Sequence, residues 1–336
     1  MSTLAGCATV TAVRAAVIGL GLIGGSVLRA LAGAGHGVLG YDADPATRAM
    51  ARTAAARARA GYRWQVTGTV RDAVADADLV AVAVPLPAVG TVLDELAGAG
   101  YSGLVTDVTS VKGPVGALVR RSGLLAGYVG GHPMAGRETS GFAAADGDLF
   151  RDCAWVLCLE PGETDLSDWL TLAQVVTGLG ARVVPATAAE HDLAVAAVSH
   201  VPHLLACALT EAAAADPLAL TLGAGSFRDG TRVAASPPAL TAAMCGGNAA
   251  AVGAALDAVL DRLAAARAAL DEPDPIGALA PWLVPAAAIR AGWPPQPSEP
   301  ATLPAKTDVL LRLGRAGGWI TEVATDRLTV TAARPA

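Results

Sequence analysis

Positive charge is in short supply in this chain. Its 336 residues hold 24 Lys and Arg against 30 Asp and Glu, a formal net charge of −6. A protein that tracks a phosphate backbone needs a basic face, so nucleic acid is excluded as a partner, and no basic footprint is offered to a membrane surface. Cysteine is also scarce. Cys7, Cys153, Cys158, Cys207 and Cys245 are scattered, odd in number and never spaced as CxxC. This pattern suits a reducing cytoplasm, with the thiols as small apolar groups. Long apolar runs are missing too: 79–93 is interrupted by Pro85 and Pro87, and 193–209 by His200, Pro202 and His203. Neither reaches the roughly 20 apolar residues of a membrane span. "LAGC" at Leu4–Cys7 imitates a lipoprotein cleavage box, but no basic region or useful apolar stretch precedes it.

What is present is apolar material for a sizeable core, 53% of the chain. In the first half, short continuous apolar runs ("RAAVIGL", "HGVLGYD", "ADLVAVAVP", "SGLVTDV", "GYVGGH", "AWVLCLE", "ARVVPA") alternate with alanine-rich, helix-like segments. Continuous runs suit strands buried on both faces, and the alternation predicts an α/β domain with a mostly parallel sheet over 1–187. From 188 to 270 the composition is helical, with a glycine-bearing break at 223–232. Residues 271–304 are proline-rich and read as an extended linker. Residues 305–336 read as a short helix and two strands, too little to fold alone.

"GLGLIGGS" (19–26) follows the first strand and opens a helix. Gly19-x-Gly21-x-x-Gly24 gives a tight turn and lets a pyrophosphate approach the helix N-terminus, with Leu20, Leu22 and Ile23 completing the loop. Asp42, about 20 residues on, ends the second strand, where an acid accepts hydrogen bonds from ribose hydroxyls and repels a 2′-phosphate. The expected cofactor is NAD, in a Rossmann-type domain.

His132 stands between Gly131 and Pro133, outside any expected regular element. "TDVTSVKG" (106–113) follows a strand and brings Ser110 to the carboxyl edge of the sheet, where ligands bind in open α/β folds. His132 follows the next strand to the same edge. A neutral imidazole there can take a proton from a substrate hydroxyl while hydride leaves the same carbon. No G-x-S-x-G elbow supports a hydrolytic Ser–His pair.

"GLGLIGGS", "TDVTSVKG", "GGHPMAGRETSG", "AEHDLAVAAVSHVPH" and "SFRDGTRVA" occur in the order seen in prephenate and arogenate dehydrogenases, and 14–265 resembles that family. The resemblance implies NAD-dependent oxidative decarboxylation of prephenate in tyrosine biosynthesis, with a homodimer formed through the helical domain. It implies that His132 is the base, that Ser110 orients His132 and the hydroxyl, and that Glu138 shapes the polar end of the site. The resemblance also implies that His203 faces the substrate and that Arg232 clamps a carboxylate, which the first domain, with Asp42 and Asp107, is poorly equipped to hold. His200 and His203, three apart, could share a metal ion, but no third ligand is evident and hydride transfer needs none. His200 therefore reads as a packing residue, and His191 and Asp192 as the start of a helix.

The chain departs from the family in two places. "SPPALTAAM", beyond the arginine motif, lacks the aromatic residue many members carry there, and 305–333 is too short for a regulatory amino-acid-binding domain. Arogenate and 4-amino-4-deoxyprephenate stay open as substrates. A β-hydroxyacid dehydrogenase would need a lysine on 188–215, which has none, and a non-catalytic NAD sensor would not need Ser110, His132 and Arg232 together.

Overall fold

The computed structural model describes residues 12–137 and 139–336. By its internal contacts the chain divides into a first unit, up to His191 together with Pro300–Ala333, and a second, Asp192–Glu299 with Arg334–Ala336.

The first unit opens with six strands: β1 (Arg14–Ile18), β2 (Gly37–Tyr41), β3 (Gln65–Val66), β4 (Leu79–Val82), β5 (Leu104–Asp107) and β6 (Tyr128–Val129). They form one parallel sheet in the order β3-β2-β1-β4-β5-β6. That order is the doubly wound dinucleotide-binding arrangement, so the fold expected from the alternating pattern is the one observed. The continuous apolar runs are explained by a core on each face. Ala15, Val17, Leu79 and Ala81 feed one cluster, and Ala16, Ile18, Val80 and Val82 the other, because successive side chains of a strand point to opposite faces.

A second sheet departs from the sequence expectation. The strands expected at 154–160 and 181–186 do not extend the parallel sheet. At Gly130 the chain leaves β6 and enters β7 (Gly131–Pro133), which pairs antiparallel with β8 (Ala154–Cys158). β8 runs parallel to β9 (Arg182–Ala186). The C-terminal segment supplies β10 (Ala301–Pro304), β11 (Trp319–Val323) and β12 (Thr329–Ala333), giving the order β10-β12-β11-β9-β8-β7. Ile320 of β11 pairs antiparallel with Val183 of β9, and Ile320, Val330 and Ala332 are buried in the larger core. The tail therefore gains stability by completing a sheet.

The second unit is helical, and three sequence expectations are corrected there. The run Ala188–Ala214 is one continuous helical stretch that passes through the histidines and Pro202. A π-helical turn, Ala196–His200, precedes the proline and accommodates a residue that has no N–H and whose ring would clash with an earlier carbonyl. By length and composition this stretch could cross a membrane, contrary to the expectation for 193–209. Residues 223–232 form a helix, Gly225–Thr231, rather than a simple break. The segment expected as a linker contains the helix Pro275–Ala291. Asp274 caps it by accepting from Gly277 N, Pro275 sits in the first turn, where a missing N–H costs little, and the Trp282 indole donates to the Arg262 carbonyl at 3.2 Å. Proline content alone misleads there, because the intervening residues are good helix formers.

Candidate active site

The three loop glycines have separate physical reasons. Gly19 has φ +97°, and a Cβ there would sit 2.4 Å from the Ala83 carbonyl oxygen. A Cβ on Gly24 would lie 1.9 Å from the Gly19 oxygen, so helix and turn could not pack. Gly21 is the opposite case: nothing lies within 4 Å of an added Cβ. It is the N-cap of the helix Leu22–Gly33, which has no side-chain cap. Open backbone before uncapped N–H groups fits a pyrophosphate, so the residues present fit a dinucleotide. Asp42 is fixed at the end of β2, accepting from Leu20 N at 2.7 Å and Asp44 N at 2.9 Å. Each carboxylate oxygen keeps capacity for a further donor.

Beyond β5 lies a buried charged cluster. The Asp107 carboxylate accepts from Lys112 Nζ, from Thr109 N at 3.0 Å and from the Thr109 hydroxyl. It also accepts from Tyr128 Oη at 2.7 Å and Gly131 N at 3.4 Å. Lys112, buried like Asp107, donates to the Gly131 carbonyl at 2.6 Å. A Cβ on Gly131 would meet the Asp107 carbonyl at 2.7 Å, so only glycine lets β7 approach this closely. The ion pair thus holds the backbone next to His132. The Asp107 charge is therefore paired with Lys112 and does not stand alone.

His132 lies in β7, opposite Val156 of β8, not on an irregular loop. β7 is a sheet edge, so Pro133 costs no ladder hydrogen bond. His132 is 8% exposed, and its Nδ1 lies 2.8 Å from Nε2 of His191, which is 2% exposed. The rings meet edge to face, with centroids 5.0 Å apart. Ser110 is half-buried in the turn after β5, but the ring held against His132 Nδ1 is that of His191. Glu138 lies outside the described residues.

His191 is held from several directions. The helix that carries it begins with a capping box: Thr187 N donates to Glu190 Oε2 at 2.9 Å, and Glu190 N donates to the Thr187 hydroxyl at 3.3 Å. Glu160 accepts from Ala188 N at 2.5 Å, and Arg315 of the C-terminal segment donates to Glu190 at 2.6 Å. The Thr187 backbone N–H, with help from Arg315, holds the Glu190 carboxyl below its ordinary range.

In the second unit, His203 Nδ1 meets the Ser199 carbonyl at 2.8 Å, one helical turn back. His200 is fully buried, its Nδ1 3.3 Å from the Asn248 amide, which also donates to the Asp192 carbonyl at 2.7 Å. Arg232 is exposed and opens the 3₁₀ turn Arg232–Ala235. Burial raises the Cys153 thiol to about 11, leaving it an apolar group rather than a nucleophile.

Two family models match: the prephenate dehydrogenase nucleotide-binding domain over residues 26–185, and the prephenate dehydrogenase dimerization domain over 187–279. The cyclohexadienyl dehydrogenase of Zymomonas mobilis is 34% identical over 235 residues, covering 67% of this chain and 77% of that protein. This chain belongs to the prephenate dehydrogenase family. The prephenate dehydrogenase of Lactococcus lactis is 33% identical over 228 residues, covering 65% of this chain and 60% of that protein's length. Among solved structures, the Aquifex aeolicus prephenate dehydrogenase, in complex with hydroxyphenyl propionate and NAD+, superposes with a TM-score of 0.75 at 25% identity. That match covers 84% of this chain and 98% of the Aquifex chain.

Sequence reasoning misses the partnership of His191 and the role of Lys112. His191 reads only as a helix start because its partner is 59 residues away. The signal available is a histidine beside a capping box, "TAAEH", in a chain with only five histidines.

Proposed function

We propose that the protein oxidises and decarboxylates prephenate to 4-hydroxyphenylpyruvate with NAD. The observation that carries this reading is the buried His132–His191 pair standing in the same unit as an open glycine turn and a fixed Asp42. When bound, NAD supplies the acceptor for the hydride leaving the hydroxyl-bearing ring carbon. His132 takes the hydroxyl proton at a ring nitrogen, so the departing hydride leaves a neutral carbonyl and not a protonated one. Loss of carbon dioxide then makes the ring aromatic and renders the step effectively irreversible. Ser110 donates to or accepts from the substrate hydroxyl. Glu138, His203 and Arg232 serve the substrate's polar groups, Arg232 as a bidentate carboxylate clamp. Asp42 binds the adenosine ribose and disfavours a 2′-phosphate.

The protein acts as a cytoplasmic homodimer in this reading. The long apolar helix Ala188–Ala214 falls within the matched dimerization domain, and a partner copy is the surface it would meet. Ile276, Val284 and Ile289, on another helix of that unit, are also exposed, and such apolar surface marks an interaction site.

The test is NADH formation by purified protein with prephenate, arogenate or 4-amino-4-deoxyprephenate, each with NAD and NADP. Turnover highest with prephenate and NAD is expected. Asp42→Ser should lose much of the preference for NAD. Turnover confined to one of the analogues would reassign the substrate, and equal use of NADP by the wild type would remove the role given to Asp42.

A further inference from the structure

Two imidazole nitrogens 2.8 Å apart share one hydrogen: one ring donates and the other, neutral at that nitrogen, accepts. Two arrangements satisfy the contact between His132 and His191. If His191 donates, the neutral His132 ring accepts at Nδ1 and carries its own hydrogen on Nε2. No lone pair is then left for a substrate proton. If His132 donates Nδ1–H, its lone pair is on Nε2 and the ring is a competent base.

We propose that His191 is a positioning residue that holds His132 in the Nδ1–H tautomer, with Nε2 as the proton acceptor. The inference rests on the reading of His132 as the base. In this arrangement the contact survives the reaction. The substrate O–H bond breaks and an N–H bond forms at Nε2, and the imidazolium so made still donates Nδ1–H to a neutral His191. In the other arrangement, any protonation of His132 falls on Nδ1 and destroys the contact. His191 therefore stabilises the charged form of His132 without taking a proton itself, as an acceptor orients the histidine of a hydrolytic triad.

The two rings are clamped independently, as such a role requires. His132 follows Gly131, whose carbonyl and N–H are bonded to Lys112 and Asp107. His191 follows Glu190, bonded to Thr187 and Arg315, and Ala188, bonded to Glu160. Other titratable groups on these segments are Tyr128, bonded to Asp107, and Asp192, next in sequence to His191. The second ring comes from a different supersecondary element, so its donor or acceptor role can be changed without altering β7.

Nitrogen-15 NMR of the histidine rings in the wild-type protein reads the tautomer without any turnover. The Nδ1–H form of His132 is expected, and the Nε2–H form would overturn the proposal. Two variants separate hydrogen bonding from packing. His191→Gln can place an amide oxygen near the position of Nε2, whereas His191→Leu fills space without an acceptor. The Leu variant should lose about 10- to 100-fold in kcat with KM near the wild-type value, on the scale of an acid–base contribution. The Gln variant should stay within about threefold. Wild-type turnover in the Leu variant, or equal losses in both, would overturn it. Full turnover in His132→Asn would instead remove the base reading beneath it, while the NMR spectrum decides the tautomer independently of turnover.

Discussion

At the scale of single residues, the proposed chemistry turns on a proton acceptor and an anion clamp. His132→Asn removes the acceptor and leaves the glycine turn intact. Its kcat should fall about 10²- to 10⁴-fold while NAD affinity, read by fluorescence titration, stays near the wild-type value. Wild-type activity should also fall on the acid side, because a protonated ring cannot accept. Arg232 is assigned binding present before and during hydride transfer, which is largely uniform binding. Arg232→Ala should therefore raise KM by the equivalent of about 2–4 kcal/mol, near the scale of charged hydrogen bonds, and lower kcat much less. Arg232→Lys should recover only part of that binding, since a lysine lacks the planar fork. Arg228, the other arginine of "SFRDGTRVA", should matter little, and a large KM effect there with none at Arg232 would move the clamp. The glycine turn and Asp42 are legible in the sequence because their logic is local: turn, helix start and strand end fall within residues 19–42. His191 is not, because its meaning depends on a ring 59 residues away.

At the scale of elements, the buried pair Lys112–Asp107 joins the turn after β5 to β7. Lys112→Met would leave the Asp107 charge buried without its counterion. Chemical denaturation should show a loss of about 3–5 kcal/mol, the usual cost of breaking a buried pair. A loss below about 1 kcal/mol, the level of an exposed pair, would mean that water reaches the site. The carboxyl of Glu190 is held below its ordinary range, so its stabilising contribution is present at neutral pH and fades as pH falls through that lowered value. Thr187→Ala, which removes the hydroxyl partner of this capping box, should therefore destabilise most near neutrality and progressively less in acid. Five of the six parallel strands are legible because each falls in a continuous apolar run; β3, only Gln65–Val66, is not. The second sheet is not: β7 has three residues, β10 has four, and its order joins segments more than 100 residues apart, which no local pattern records. The helix Pro275–Ala291 is hidden by Pro281 and Pro285, whose composition signal outweighs the helix formers between them.

At the scale of the whole molecule, the C-terminal segment is a structural part of the first unit: β11 joins β9, and Arg315 braces the helix that carries His191. The second unit leaves large apolar side chains exposed, Ile276 at 84% and Ile289 at 75%. Light scattering at micromolar concentration should give twice the mass of one chain, and a monomer would contradict the proposed assembly. The most direct test of the proposed reaction is a stoichiometric one. Purified protein is given limiting prephenate and excess NAD, and NADH, carbon dioxide and 4-hydroxyphenylpyruvate are measured together. One of each per prephenate consumed is expected, with at most about one hundredth of the initial rate from His132→Asn. Carbon dioxide without NADH, or an equal initial rate from the His132 variant, would contradict it.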